Sequence, residues 1–165
     1  MSRYAAPLRE MRYVLFDVLQ GESHFRALPG AEHVNRELVD AVLDEAAKFN
    51  ELVLAPLNGS GDQEGCHWHA GEVTTPKGFK AAYTQFVDGG WSGLTAPEAY
   101  GGQHLPEIIG AIVKEMIDSA NLSWGTYPLL WHGATEALKH HGEEWQREVF
   151  LKPIVEGRWT GTMCL

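Results

Sequence analysis

Apolar residues recur along this chain at three- and four-residue intervals, the spacing that lines one face of an α-helix. In PLREMRYVLFDVLQG, residues 7–21, Leu8, Met11, Leu15, Val18 and Leu19 form such a stripe; Pro7 suits a first turn and Gly21 a C-terminal stop. A longer stripe over about residues 31–55 places Val34, Leu38, Val42, Ala46, Phe49 and Val53 on one face, and Pro56 is expected to end that helix. Residues 56–75 are rich in Gly, Asn and Asp without a period and read as a long loop. Thr75 and Pro76 are the expected N-cap and first turn of a third helix, whose stripe of Phe79, Ala82, Tyr83 and Phe86 runs to Gly89.

After an irregular stretch, GWSGLTAPEAYGG, the run LPEIIGAIVKEMIDSA carries Ile108, Ile109, Ile112, Val113, Met116 and Ile117 at helical spacing. Residues 121–141 read as a further helix with Pro128 as a kink or restart, and residues 143–156 as a last one, opening on Glu143 and Glu144 and closing at Gly157. Six helices without a hairpin signal predict an all-α helical bundle. Only residues 158–165 depart from this: Trp159, Thr160, Thr162, Met163, Cys164 and Leu165 favour an extended backbone. One strand cannot make a sheet, so the expectation is a chain truncated at the entry to a β domain. The expected division is an N-terminal extension helix over 1–30, a helical domain over 31–157 and a first strand over 158–165.

Composition narrows the function classes. With 165 residues, 44% of them apolar and 21% charged, the chain is a globular domain able to bury roughly two thirds of the surface of its unfolded form. A formal charge of -9 without a cluster of Lys and Arg argues against nucleic-acid binding. Cys66 and Cys164 form no framework of regular spacings, which favours a reducing compartment. No apolar run reaches the length of about 18 residues that crosses a bilayer, and the start lacks an apolar signal core, so the expected location is cytoplasmic and no membrane partner is expected.

Candidate chemistry is sparse. Cys66, His67 and His69 lie together, but a C-H-x-H run does not match zinc spacings, which pair ligands and repeat the pair elsewhere, so these are read as ordinary loop side chains and no metal is expected. His140 and His141 suit a helix C-terminus. The pairs Gly89-Gly90 and Gly101-Gly102 read as turns with positive φ rather than as a phosphate cradle, and no nucleophile elbow is present. Glu115 and Asp118, opposite the isoleucine stripe, read as a solvated helix face. No catalytic residue is assigned.

Two segments carry a resemblance. GWSGLTAPEAYGGQHLP, residues 90–106, resembles the G-W-x-x-L-x-x-P-x-x-Y-G-G-x-x-L-P signature of acyl-CoA dehydrogenases. HHGEEWQREVFLKPIVEGRWTGTMCL, residues 140–165, is similar to the run that leads into that family's flavin-contacting loop. RYAAPLREMRYVLFDVL, together with GDQEGC and TPKGFKAAY, resembles the long subgroup with an extra N-terminal helix, which includes 3-methylmercaptopropionyl-CoA dehydrogenases.

The resemblance implies the N-terminal helical domain of a three-domain FAD enzyme that oxidises an acyl-CoA thioester at its α,β bond. The catalytic carboxylate is then expected in a C-terminal domain, and the fragment by itself is expected to be inactive and not to retain FAD. Met163, Cys164 and Leu165 match the first positions of the flavin loop, with strand packing equally open for Cys164. Tyr127, Leu129, Leu130, Trp131 and Gly133 match the helix bordering the acyl chain, and could equally be bundle core, because periodicity does not separate the two. Trp91 and Tyr100 are read as large anchors of an irregular loop. The implied substrate is 3-methylmercaptopropionyl-CoA or a short or medium fatty acyl-CoA, the implied acceptor an electron-transfer flavoprotein, and the implied assembly a homo-oligomer. An acyl-CoA oxidase and a stand-alone helical interaction module are the alternatives.

Overall fold

The structure, a computed structural model, describes residues 4–161. α1 (Leu8–Arg12) continues through a wider π-helical turn, Tyr13–Val18. Met11, Leu15 and Phe16 are buried, whereas Val18 and Leu19 at the end of the predicted stripe are exposed. Gly21 is not a stop: Gln20 takes the left-handed position, φ 54°, and α2 (Gly21–Ala27) follows at once.

α3 (Arg36–Phe49) starts where Asn35 Oδ1 accepts a hydrogen bond from Leu38 N at 2.9 Å. It passes through a second π-helical turn, Asn50–Leu54, into α4 (Ala55–Glu64), so the rod crosses Pro56 instead of ending there. In the widened turn Ala55 N–H reaches back to Asn50 O, and Pro56 falls in the first turn of α4, where a missing N–H is tolerated. The buried face keeps a three- and four-residue spacing through the turn, one residue on from much of the predicted stripe. Val39, Leu43, Ala46, Asn50 and Leu54 lie inside, while the predicted Leu38, Val42, Phe49 and Val53 pack from its edge.

The expected loop over 56–75 is therefore half helix. The rest contains a hairpin, β1 (His67–His69) antiparallel to β2 (Glu72–Thr74), with Trp68 opposite Val73. Its turn residues, Ala70 (φ 50°) and Gly71 (φ 88°), are both left-handed, as a tight two-residue hairpin demands. An Ala at the first of these positions lacks the usual Asn or Asp signal, which hid the hairpin from sequence. α5 (Phe79–Asp88) begins after Gly78 (φ 93°) rather than at Thr75, and ends at Gly89 as expected.

Residues 90–106 fold as two single turns, Trp91–Gly93 and Glu98–Tyr100, tied by Gln103 N–H to Gly93 O and Leu105 N–H to Leu94 O. α6 (Glu107–His141) joins the two predicted helices and breaks at Asn121 (φ -159°, ψ 86°), not at Pro128. The Asn121 amide explains the site of the break. Its Oδ1 accepts from Trp124 N at 3.1 Å and Ser123 Oγ at 3.0 Å, capping the second arm, while Nδ2 donates to Leu54 O at 3.2 Å. The last rod comprises α7 (Glu144–Gln146), a π-helical turn at Arg147–Leu151 and α8 (Lys152–Val155). Glu143 and Gln146 form a capping box at its start, and Gly157 (φ 69°) closes it.

The described residues thus form an all-α bundle of six rods, 8–18, 21–27, 36–64, 79–88, 107–141 and 144–155, with one small hairpin. Leu15, Phe25, Val39, Leu43, Leu54, Ile109 and Met116 share one core, so the apolar side chains of residues 4–30 are continuous with the rest. No helix among the described residues is long and apolar enough to cross a membrane. Residues 158–161 form no regular element, and the rest of the strand expected over 158–165, with Met163, Cys164 and Leu165, lies outside the described residues.

Candidate functional site

The second arm of α6 is walled by aromatic rings. Trp124 and Trp131 point inward one above the other, and α5 meets them with Phe86, at 5.4 Å and 6.1 Å between ring centroids. Phe49 of α3 closes this stack, 6.1 Å from both Phe86 and Trp124. Edge-on and tilted pairs of this kind suit the ring quadrupoles and keep the wall rigid. Trp124 is further fixed by its indole N–H, which donates to Phe79 O at 3.2 Å.

Between this arm, the first arm of α6 and the 91–95 segment lies a cleft of about 400 Å³. Its floor is apolar, from Phe86, Leu94, Val113 and Trp131, and its rim carries Lys114, Glu107 and His132. An apolar hollow with a few polar groups at the mouth is what a small organic ligand requires. Three roomier hollows, about 590 Å³ beside Arg9 and Arg36, about 730 Å³ beside Tyr4 and Glu51 and about 490 Å³ beside Glu115 and Asp118, are lined largely by charged, polar and small side chains.

Of the five residues expected along the acyl chain, Leu129 and Trp131 line this cleft together. Tyr127 lies on the flank of the arm, 6.3 Å from the Trp131 ring and 5.3 Å from Tyr83. Leu130 and Gly133 are exposed, and a side chain at Gly133 would meet open space. Trp91 is both a partly buried anchor of the loop and part of the cleft lining, whereas Tyr100 packs on the small cluster of Ala96, Leu151 and Val155. Gly90 (φ 75°) and Gly101 (φ 91°) have the positive φ expected of turns.

Three residues at this site escaped sequence reasoning. Pro128 lines the cleft instead of kinking the helix. Asn121 sets the angle between the arms; an Asn followed by Ser123 and the small Gly125 was the available signal. Tyr83 was assigned to a helix stripe, yet its hydroxyl donates to Gly157 O at 2.6 Å. Burial, and then Tyr127, push that phenol up to about 12. Cys66, His67 and His69 sit on or beside the exposed hairpin, and among the described residues no group of three His, Cys, Asp or Glu side chains is placed to hold a metal ion.

Residues 37–158 match the family described as acyl-CoA dehydrogenase, N-terminal domain. The chain belongs to that family. It is 38% identical over 162 residues to 3-methylmercaptopropionyl-CoA dehydrogenase of Ruegeria pomeroyi, covering 98% of this chain and 27% of that protein. It is 27% identical over 167 residues to a butyryl-CoA dehydrogenase of Syntrophomonas wolfei, covering 99% and 27%. It is also 27% identical over 175 residues to a broad-specificity linear acyl-CoA dehydrogenase of Mycobacterium tuberculosis, covering 100% and 27%. The chain thus spans 27% of the length of these curated relatives. In this acyl-CoA dehydrogenase N-terminal domain the matched span runs from α3 to the residue after Gly157, and it contains the aromatic wall and the whole cleft.

Proposed function

We propose that this domain forms the N-terminal wall of a flavin-dependent acyl-CoA dehydrogenase, with its apolar cleft beside α6 taking part of an acyl chain. The observation that carries the reading is the juxtaposition, within the matched family span, of Leu129 and Trp131 over an apolar cleft of about 400 Å³. The relative at 38% identity is a 3-methylmercaptopropionyl-CoA dehydrogenase and two others act on butyryl-CoA and linear acyl-CoA, which supports a short or medium acyl-CoA as substrate.

FAD fits this reading through the character of the wall. The chain leaving the last helix runs along the second arm of α6, where a Cβ on Gly161 would stand 3.1 Å from Trp131 Cα and from Ala134 Cβ. Met163, Cys164 and Leu165, which the resemblance matches to the flavin loop, are the residues proposed to meet the flavin. Bound there, the cofactor would supply the hydride acceptor. The domain's own part is to exclude water, with Phe86, Trp91 and Trp131, and to hold the acyl chain in line; it contributes no catalytic base. An electron-transfer flavoprotein as acceptor and a homo-oligomeric assembly complete the proposal.

The test is to express the complete reading frame that encodes this chain and follow flavin absorbance. The expected result is a yellow protein that bleaches anaerobically on adding 3-methylmercaptopropionyl-CoA or butyryl-CoA. A colourless product, or a yellow one indifferent to every acyl-CoA, overturns the reading, and peroxide released without an added acceptor replaces dehydrogenase by oxidase.

A further inference from the structure

The acyl wall expected on α6 and the turn that ends the last helix meet at one side chain, which is in neither set of site residues drawn from sequence. Tyr83 presents its ring edge-on to Tyr127, with centroids 5.3 Å apart, and to Trp131, at 6.1 Å. Its hydroxyl donates to Gly157 O at 2.6 Å across 74 residues of sequence. We propose that Tyr83 is a positioning residue, which holds the segment leaving the last helix in register with the aromatic wall.

The turn at Gly157 is built to be held. Its φ of 69° is a left-handed conformation, and a Cβ there would stand 2.5 Å from Val87 Cγ2, so α5 occupies the space any other residue would need. Ser92 Oγ donates to Val155 O at 2.9 Å, two residues before the tyrosine's contact. The last carbonyls of a helix are ordinarily satisfied by water or by the chain's own next turn. Here the chain's own turn takes Pro153 O, which accepts from Arg158 N and Trp159 N, while Ser92 takes Val155 O and Tyr83 takes Gly157 O in the turn beyond, so the side chains of the 90–106 loop and of α5 also fix a direction. Beyond the turn, Gly161 lies against Trp131 and Ala134, so the direction set at Gly157 is the one that runs along the wall. Because Tyr83 touches Tyr127 and Trp131 with its ring and Gly157 with its oxygen, displacement of the wall and displacement of the tail are coupled through it. That this register places the tail against a flavin rests on the function proposed above; that the tail is clamped does not.

Tyr83→Phe removes the hydroxyl and keeps the ring. In the 165-residue chain, trypsin cleavage after Arg158 is expected to rise about fivefold, as loss of one hydrogen bond permits, while cleavage after Lys139 and Arg147 stays unchanged. An unaltered rate at Arg158, or a rise matched at Lys139 and Arg147, overturns the clamp and leaves only a general loss of stability. Amide exchange at Arg158 and Trp159, whose N–H groups both donate to Pro153 O, gives a second measure. It is expected to quicken in Tyr83→Phe relative to the unsubstituted chain while exchange at residues 109–117 stays unchanged, and equal rates in the two chains overturn the clamp. In the complete reading frame, Tyr83→Phe is expected to shift the flavin absorbance maxima and raise the flavin dissociation constant about fivefold. Ser92→Ala, which frees Val155 O but leaves Tyr83 in place, is expected to leave the maxima where they are. An unshifted spectrum in Tyr83→Phe with faster cleavage at Arg158 removes the link to the cofactor and keeps the clamp. An unsubstituted protein that binds no flavin overturns the functional reading itself.

Discussion

The two arms of α6 are written in the same apolar alphabet, yet they live in different surroundings. In the first arm Ile109, Val113, Met116, Ile117 and Ala120 are buried and the large apolar residue facing outward is Ile108, at the margin of exposure. In the second arm Trp124, Pro128 and Trp131 are buried, but Leu122 is 60% exposed, Tyr127 51%, Leu129 45% and Leu130 40%. The first arm is amphipathic and complete. The second is apolar on faces that no described residue covers, and Trp145, Val149, Phe150 and Trp159 of the last rod and its exit are exposed as well. Exposed apolar surface of this extent marks a place where something else is meant to pack. One helix is therefore packed as core on one side of Asn121 and, beyond its buried Trp124 and Trp131, apolar toward solvent on the other.

Truncation separates the two arms by the largest margin. Met116→Ala empties a site with no solvent exposure and is expected to cost about 2–5 kcal/mol of folding stability. Leu130→Ala, the same kind of truncation on the outer face, is expected to stay within about 0.5 kcal/mol in this chain. Urea unfolding of both variants checks the pair; similar losses would mean that the second arm is as much core as the first.

The joint between the arms comes next. Asn121→Ala takes away the cap on Trp124 N and the donor to Leu54 O, both buried, and is expected to cost about 1–3 kcal/mol. Because the cap starts the second arm, the loss should be local as well as global. Amide exchange at residues 122–126 is expected to rise more than at 109–117, and an equal rise in both would place the hinge elsewhere.

How far this contrast was legible in the sequence depends on which physical term decides each feature. The stripe of Ile109, Val113, Met116 and Ile117, the start at Glu143 and the stop at Gly157 follow from period and capping, which are local, and they stand where the sequence puts them. The continuation through Pro56 does not, since it depends on a widened turn that packs against α6 and takes a hydrogen bond from the distant Asn121. Pro128 drew attention because proline breaks isolated helices, but the break moved to Asn121, whose amide can satisfy both the new helix start and the distant Leu54 carbonyl. The site shows the same limit. Periodicity ranked Trp131 and Leu130 alike, while burial separates them; and Tyr83 had no signal at all, because its partner Gly157 is 74 residues away.

Alkaline titration offers the smallest effect and the most direct view of that contact. The Tyr83 phenol is pushed up to about 12, chiefly by burial and then by Tyr127, whereas an unfolded tyrosine titrates near 10. Below pH 10 both states keep the proton and the contribution to stability is whole. As pH rises from 10 to 12 the unfolded chain releases its proton first, so the balance tips toward unfolding and stability falls. Tyr83→Phe lacks this group, so its urea midpoint should decline less steeply over the same window than that of the unsubstituted chain. Some decline remains, because the Tyr4 phenol is also raised, by burial and by Glu51 and Glu115. Parallel pH profiles for the two chains would mean that the hydroxyl is open to water and that its bond to Gly157 does not bind the flank of the second arm to the exit of the last helix.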